Sequence, residues 1–288
     1  MICSRRQFLH TGAYGVAAAM LTPTLPPATL RSTLRIALLH LAPLPAELTY
    51  NRRLVETAVT TAAGLGASWV ITPELCISGY TFADRIGTEW IVPQPDPWMR
   101  SFCQLVARLH ITVFLSHPER DRQTGKLYNT VFVIAADSSI VGKHRKINTL
   151  RVGAESWSSP GEQIAPLPVQ PSSSVGILIC ADACSLEIAR SLQAQGAQLL
   201  VSSAAWAPGL YGPDGEWEQC TRETGLPLLV CNRTGTDRTL DFTAAESVIV
   251  KDGQRLLSLR SERSAIFLID WDLQAQNLAT PEPQRIYL

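Results

Sequence analysis

No charge of either sign predominates in this 288-residue sequence: 25 lysines and arginines face 25 aspartates and glutamates. Binding to nucleic acid or an anionic membrane depends on neutralising many phosphates with basic side chains, so this balance argues against both as partners. Metal and nucleotide signatures are missing as well. There is no His-Glu-x-x-His helix and no Gly-x-Gly-x-x-Gly after the first strand pattern. The seven cysteines, at positions 3, 76, 103, 180, 184, 220 and 231, make neither a paired Cys-x-x-Cys site nor a compact disulfide framework. Most of them read as core residues. No apolar run approaches the roughly 20 residues of a membrane-spanning helix, so stable membrane insertion is not expected. What is present is 46% hydrophobic residues, enough for one large core. The expected partner is a small soluble substrate, handled without cofactor or metal.

The N-terminus reads differently from the rest. Ser4-Arg5-Arg6-Gln7-Phe8-Leu9 precedes an uncharged, mildly apolar run from Thr11 to Leu21 and a proline-rich stretch through Ala28. That is the layout of a twin-arginine export signal. The expectation is a signal over residues 1–29, cleaved near Ala28, a single domain over 30–288, and a periplasmic protein. The alternative is an N-terminal arm on a cytoplasmic one. Twin-arginine substrates cross already folded, which would let buried thiols persist.

Short apolar runs then alternate with helical patterns. Strands are predicted at Arg35–Leu41, Ser68–Thr72 and Ile111–Ser116, with helices at Tyr50–Leu65 and Pro97–His110 between them. A hairpin follows, Leu127–Ala136 and Ser139–His144, turning at Asp137-Ser138. Next come strand Val175–Cys180, helix Leu186–Gln195, strand Gln198–Ser203, a Gly/Pro-rich loop, helix Glu216–Thr224 and strand Leu226–Cys231. Strands near Ser247–Lys251 and Ala265–Asp270 close the pattern, which is that of an α/β layer structure.

Three polar residues stand at strand ends, where α/β sheets collect ligand-facing groups. Glu74 follows Ser68–Thr72. Taken alone, it could equally serve a helix start. Lys146 ends a basic run, Lys143-His144-Arg145-Lys146, whose ordinary reading is a solvated face. Cys180 ends an apolar strand, where an inert buried thiol is the ordinary reading. At a strand-to-helix junction, however, a sulfur can face a cleft while the free N–H groups of the next helical turn polarise an oxyanion.

Taken together, in this order and spacing, the three resemble the Glu-Lys-Cys triad of the nitrilase superfamily of amidases, carbamoylases and nitrilases. Pro73-Glu74-Leu75 with Gly79-Tyr80 resembles the glutamate motif. Leu127-Tyr128-Asn129-Thr130 with Gly142 to Lys146 resembles the lysine motif. Gly176 to Asp182, with Glu187 and Arg190, resembles the cysteine motif. Ser202 to Trp206, Asn232-Arg233-Thr234-Gly235 and Glu246-Ser247 fit the family's C-terminal half.

The resemblance implies a four-layer αββα sandwich that pairs into a homodimer or higher homo-oligomer. It also implies a cysteine nucleophile, a glutamate base, a lysine cation and an oxyanion contact from the Ala181 backbone. A second glutamate ahead of a Pro-Gly turn is common in the family, and Glu155 is the candidate. The implied activity is hydrolysis of an amide or N-carbamoyl carbon–nitrogen bond. Departures are visible: Ala181 where an aromatic often follows the cysteine, Cys184-Ser185-Leu186 where Arg-Phe-Pro is common, and His144 for a common tyrosine. Ala181-Asp182 in place of Trp-Glu favours an amidase or carbamoylase over a nitrilase. Cys184 is expected to pack in the core rather than act as a resolving thiol. Two other readings stand beside the triad: a Cys-His enzyme with His144 as base but no evident Asn or Asp to orient it, and a catalytically silent binding or scaffold protein.

Overall fold

The structure, a computed structural model, describes residues 33–288; the expected export signal over 1–29 lies outside the described residues. Two sheets and five helices account for most of it. In chain order, β1 (Thr33–His40), α1 (Leu48–Gly64) and β2 (Trp69–Ile71) are followed by α2 (Ala83–Ile86) and α3 (Pro97–Leu109). Strands β3 (Thr112–Arg120), β4 (Leu127–Ile134) and β5 (Ile140–Arg145) complete the first half. The second half runs β6 (Leu167–Val169), β7 (Ser172–Ile179), α4 (Leu186–Ala194), β8 (Leu199–Ser203), α5 (Glu216–Thr224) and β9 (Leu228–Cys231). A small pair, β10 (Thr236–Asp237) and β11 (Leu240–Asp241), precedes the hairpin β12 (Ser247–Lys251) and β13 (Gln254–Leu259). Last come β14 (Ala265–Asp272), β15 (Asn277–Leu278) and β16 (Gln284–Tyr287).

The first sheet has the order β15-β14-β1-β2-β3-β4-β5, with β16 also on β14; the second has β13-β12-β9-β8-β7-β6. Strands β1, β2 and β3 are parallel, as are β7, β8 and β9, and helical crossovers make such pairings possible. Alternation along the strands sorts side chains into layers. Leu34, Ile36 and Leu38 of β1 face Ile177, Val201 and Leu229 in the inter-sheet core, where Trp69 and Trp271 are also buried. Ala37 and Leu39, one residue out of phase, pack outward against Val55, Val59 and Ala62 of α1 and Phe102 and Val106 of α3. On the far side, Ile188 and Leu192 of α4 cover the second sheet. The result is the expected αββα layering. Each fully buried Leu, Ile or Val contributes about 1.5–3 kcal/mol by leaving water.

Local chemistry sets the helix ends. Asp96 caps α3 by accepting the Met99 N–H at 2.7 Å, Pro97 occupies the first turn, and His110 ends it in the left-handed region. One boundary differs from expectation for a tertiary reason. His117-Pro118-Glu119-Arg120 reads as the end of a strand, yet β3 continues to Arg120 because β4 supplies a full antiparallel partner, Pro118 pairing opposite Asn129. The short edge strands β6 and β13 likewise exist through pairing rather than through their own pattern.

Candidate active site

The carboxyl ends of β2, β5, β7 and β8 bring the site together. Glu74 lies just past β2, buried, with its N–H donating to the Ala204 carbonyl at 3.2 Å. Lys146 lies one residue past β5, its N–H donating to the Asn129 carbonyl at 2.8 Å. Strand alternation divides the basic run that contains it. Lys143 and Arg145 point outward to Glu119, while His144 and Lys146 point inward and are buried. The solvated-face reading therefore applies to half of the run.

Lys146 Nζ donates to Glu74 Oε1 at 2.8 Å and to both Glu155 oxygens at 2.7 Å. Asn129 Nδ2 donates to the same two acids, at 2.7 Å to Glu74 Oε1 and 2.8 Å to Glu155 Oε1. The other Glu74 oxygen accepts the Ala205 N–H at 3.0 Å. Glu155 is presented by a 3-10 turn, Gly153–Glu155, in which Gly153 takes a positive φ of 63°. Two carboxylates thus share one ammonium with no exposure to solvent. Such a cluster is tolerable only because nearly every charge has a partner, and removing one partner strands the others.

Cys180 opens a 3-10 turn, Cys180–Cys184, directly after β7. Its φ is +48°, and Leu75 beside Glu74 has +50°. Non-glycine residues in this region cost about 1–3 kcal/mol each and persist where the surroundings impose them, which is frequent at functional sites. Burial pushes the Cys180 thiol well above its ordinary range and the Glu74 charge pushes it further, while Lys146 and the Ala205 N–H oppose the rise. Burial also raises Glu74 above the usual carboxylate range, opposed by Lys146 and reinforced by Glu155. Lys146 sits well above its ordinary value: burial alone would lower it, and Glu74, Cys180 and Glu155 outweigh that. Burial thus favours the protonated thiol at Cys180, while Lys146 is held as an ammonium between two acids. Such a thiol can deliver its proton to a base at the moment of attack.

A buried apolar wall flanks these residues. Leu75, Tyr80, Phe82, Ala205 and Phe242 pack together, and Phe82 lies edge-on to Trp157 and Trp90 at 5.1 and 5.4 Å. Gly79, at φ +73°, lets this segment pass Pro45, where a Cβ would come within 2.6 Å of Pro45 Cα. The buried pair Arg233 and Asp237, 2.6 Å apart, anchors it further, since Asp237 accepts the Tyr80 N–H at 2.8 Å. A cavity of about 760 Å³ lies elsewhere, lined by Arg260, Arg263, Arg285 and Tyr287. Chemistry rather than volume marks the site.

The structure thus places Glu74, Lys146 and Glu155 in direct contact and puts Cys180 within their electrostatic reach. Asn129 and Ala205 were visible only as members of motifs; their roles arise across strands far apart in sequence. Two expectations change. Cys184 is exposed rather than packed in the core, because the 3-10 turn ends there and α4 starts afresh at Leu186. His144 has an acidic partner after all: its Nε2 lies 2.9 Å from Asp182 Oδ2. No hydrogen bond among the described residues joins His144 to Cys180.

Comparison with known proteins follows the same line. A family model described as carbon-nitrogen hydrolase matches residues 35–276. The chain belongs to the carbon-nitrogen hydrolase family. This bears out the nitrilase-superfamily resemblance carried by its motifs. Among relatives of this carbon-nitrogen hydrolase, omega-amidase NIT2 of Danio rerio is 30% identical over 260 residues, covering 84% of this chain and 88% of the relative. A formamidase of Bacillus cereus is 25% identical, covering 72% and 62%. A branch 10 member of the nitrilase superfamily from Saccharomyces cerevisiae superposes with a TM-score of 0.72 at 22% identity, covering 84% of this chain and 91% of that one. An amidase from Nesterenkonia sp. AN1, in a mutant form carrying the acetamide moiety of fluoroacetamide on its active site cysteine, superposes at 0.71 with 22% identity, covering 85% and 93%. At these identities the solved structures establish the fold, which is the nitrilase sandwich.

Proposed function

We propose that this carbon-nitrogen hydrolase cleaves a small amide or N-carbamoyl substrate through a Cys180 thioester, with Glu74 as general base. The observation that carries the reading is the buried contact of Glu74, Lys146 and Glu155 beside a strained cysteine whose thiol is held protonated. A thiolate preformed against an imidazolium would need no such base; a protonated thiol does. Glu74 takes the thiol proton as sulfur attacks the carbonyl carbon. The developing oxyanion is held by Lys146 and the Ala181 N–H, one of the unpartnered donors of the first helical turn. The two Lys146 contacts to Glu155 fall on one carboxylate and can be served by a single bifurcated N–H, which leaves one for the oxyanion. Glu74 then protonates the departing nitrogen, and the C–N bond breaks. Water attacks the thioester with its proton passing to Glu74; the C–S bond breaks, and the thiolate regains a proton. Each group is on the chain itself, and no step calls for a cofactor.

The amidase and formamidase names among its relatives support an amide substrate. Pairing into a homo-oligomer and export through a twin-arginine signal belong to the same proposal; fractionation of cells expressing the full chain tests the latter. For the chemistry, the test is ammonia release from a panel of small amides, N-carbamoyl amino acids and nitriles, with intact mass read on wild type and Cys180→Ala. Turnover and an acyl mass confined to wild type support the reading. Silence across the panel, with no adduct from a reactive thiol probe, would favour a binding or scaffold protein.

A further inference from the structure

One carboxylate ties together the two chain segments that carry Lys146 and Cys180. Asp182 is fully buried. Its Oδ1 accepts the backbone N–H groups of Ile147 at 3.0 Å and Asn148 at 2.7 Å. Its Oδ2 accepts the Ile179 N–H at 2.9 Å and the His144 Nε2–H at 2.9 Å. Asn148 returns a contact, its Nδ2 donating to the Ala181 carbonyl at 2.7 Å. His144 and Ile147 bracket Lys146 along one segment, while Ile179 and Asp182 bracket Cys180 along the other. Three of the four donors to the carboxylate are backbone groups. The fourth depends on one side chain, in the tautomer that carries its proton on Nε2.

The geometry points to Asp182 and His144 as positioning residues that set the Cys180 sulfur against the Lys146 ammonium. The inference rests on the reading of Cys180 as nucleophile. The bond from Ile179 N–H to Asp182 closes the turn around Cys180, and this closure holds the cysteine at φ +48°. The bonds to Ile147 and Asn148 carry that turn across to the end of β5. Asp182 remains an anion although burial opposes its charge, because His144 and the backbone donors together hold its carboxyl below the usual range. A buried anion short of one donor would pull its neighbours to make up the loss, and a displacement of about 1 Å at a reacting atom can lower a rate by roughly 100-fold.

The experiment compares His144→Ala with His144→Gln, whose amide nitrogen reaches where Nε2 sits and restores the donor. Two quantities are read on each full-length folded variant, with folding checked by circular dichroism. One is kcat and KM on the best amide of the panel; the other is the rate of Cys180 alkylation by iodoacetamide across pH, which needs no substrate. Expected is a 10- to 100-fold loss of kcat in His144→Ala, by the placement argument above, with KM within about twofold. Alkylation should slow in parallel, and His144→Gln should recover both to within a few-fold. Wild-type kcat and alkylation in His144→Ala would overturn the inference, as would equal damage from alanine and glutamine, which would assign the effect to ring packing. Full activity in Cys180→Ala would instead overturn the reading of the site itself.

Discussion

Two buried histidines outside the site make the stability of this protein fall on mild acidification. His117 lies on β3 with Nδ1 donating to the Pro118 carbonyl at 2.6 Å, and Nε2 has no partner among the described residues. Its ring packs against Trp98 and Trp90, so a proton added at Nε2 would place a charged donor against aromatic surface. Burial pushes its pKa from 6.5 down to about 4. His40, at the end of β1 with Nδ1 3.0 Å from Ser247 Oγ, is pushed to about 4 by the same cause. For such a group the unfolded chain takes up the proton first. Stability is fully present above 6.5 and is lost as pH falls from there through about 4. With those values, each histidine removes about 2 kcal/mol at pH 5 relative to pH 8. Asp182 and Glu119, held below the usual carboxylate range, add their losses only at still lower pH. His117→Asn keeps a donor near the Nδ1 position and removes the titration. Urea denaturation at pH 8 and pH 5 should show wild type losing about 2 kcal/mol more than the variant, or roughly 4–8 °C in melting temperature for a domain of this size. Equal acid losses in the two proteins would refute the claim that this ring is held neutral by burial.

Lys146→Met should abolish turnover and lower stability by about 3–5 kcal/mol in urea titration, because Glu74 and Glu155 lose their shared cation. The acid limb of kcat/KM should lie above the ordinary carboxylate value of 4.5, since Glu74 acts as base only when ionised and its pKa is raised; a pH–rate profile with its acid limb at or below 4.5 would contradict this. Gly161→Ala should reduce kcat at unchanged substrate affinity, because a Cβ there would collide with the Arg145 carbonyl next to Lys146; wild-type kinetics would show that the loop yields freely. Cys180→Gly should be more resistant to urea than Cys180→Ala by about 1 kcal/mol, since glycine accepts φ +48° without a Cβ penalty. The reverse order would show that this backbone stores no strain.

Much of the architecture was legible in the residues because burial imposes periodicity. Leu34, Ile36 and Leu38 against Ala37 and Leu39 already announce a strand covered on both faces, and the Val55, Val59 and Ala62 spacing announces the helix above it. Helix α5 and strand β12 fall on the expected residues for the same reason. Where an element owes its existence to a partner, the pattern carries less. Strand β3 runs through Pro118 because β4 lies beside it, and the exposed β13 is a strand because it folds back on β12. Asp252 and Gly253 turn that hairpin with φ of 52° and 76°.

The site divides in the same way. The amino-acid sequence by itself pointed to Glu74, Lys146 and Cys180, through residue types and their order at strand ends together with the resemblance of their motifs, and to Glu155 through that resemblance alone. It held no information on distance, so the ordinary readings of each residue stayed open until the chain was folded. Only the tertiary structure decided that Lys146 turns inward while Arg145 turns out, that Asn129 and Ala205 complete the glutamate's partners, and that Cys184 faces solvent while Asp182 is sealed. The physical reason is that a buried charge is permitted only by neighbours drawn from other strands. Those neighbours, up to 131 positions away along the chain, become adjacent only when the sheets close.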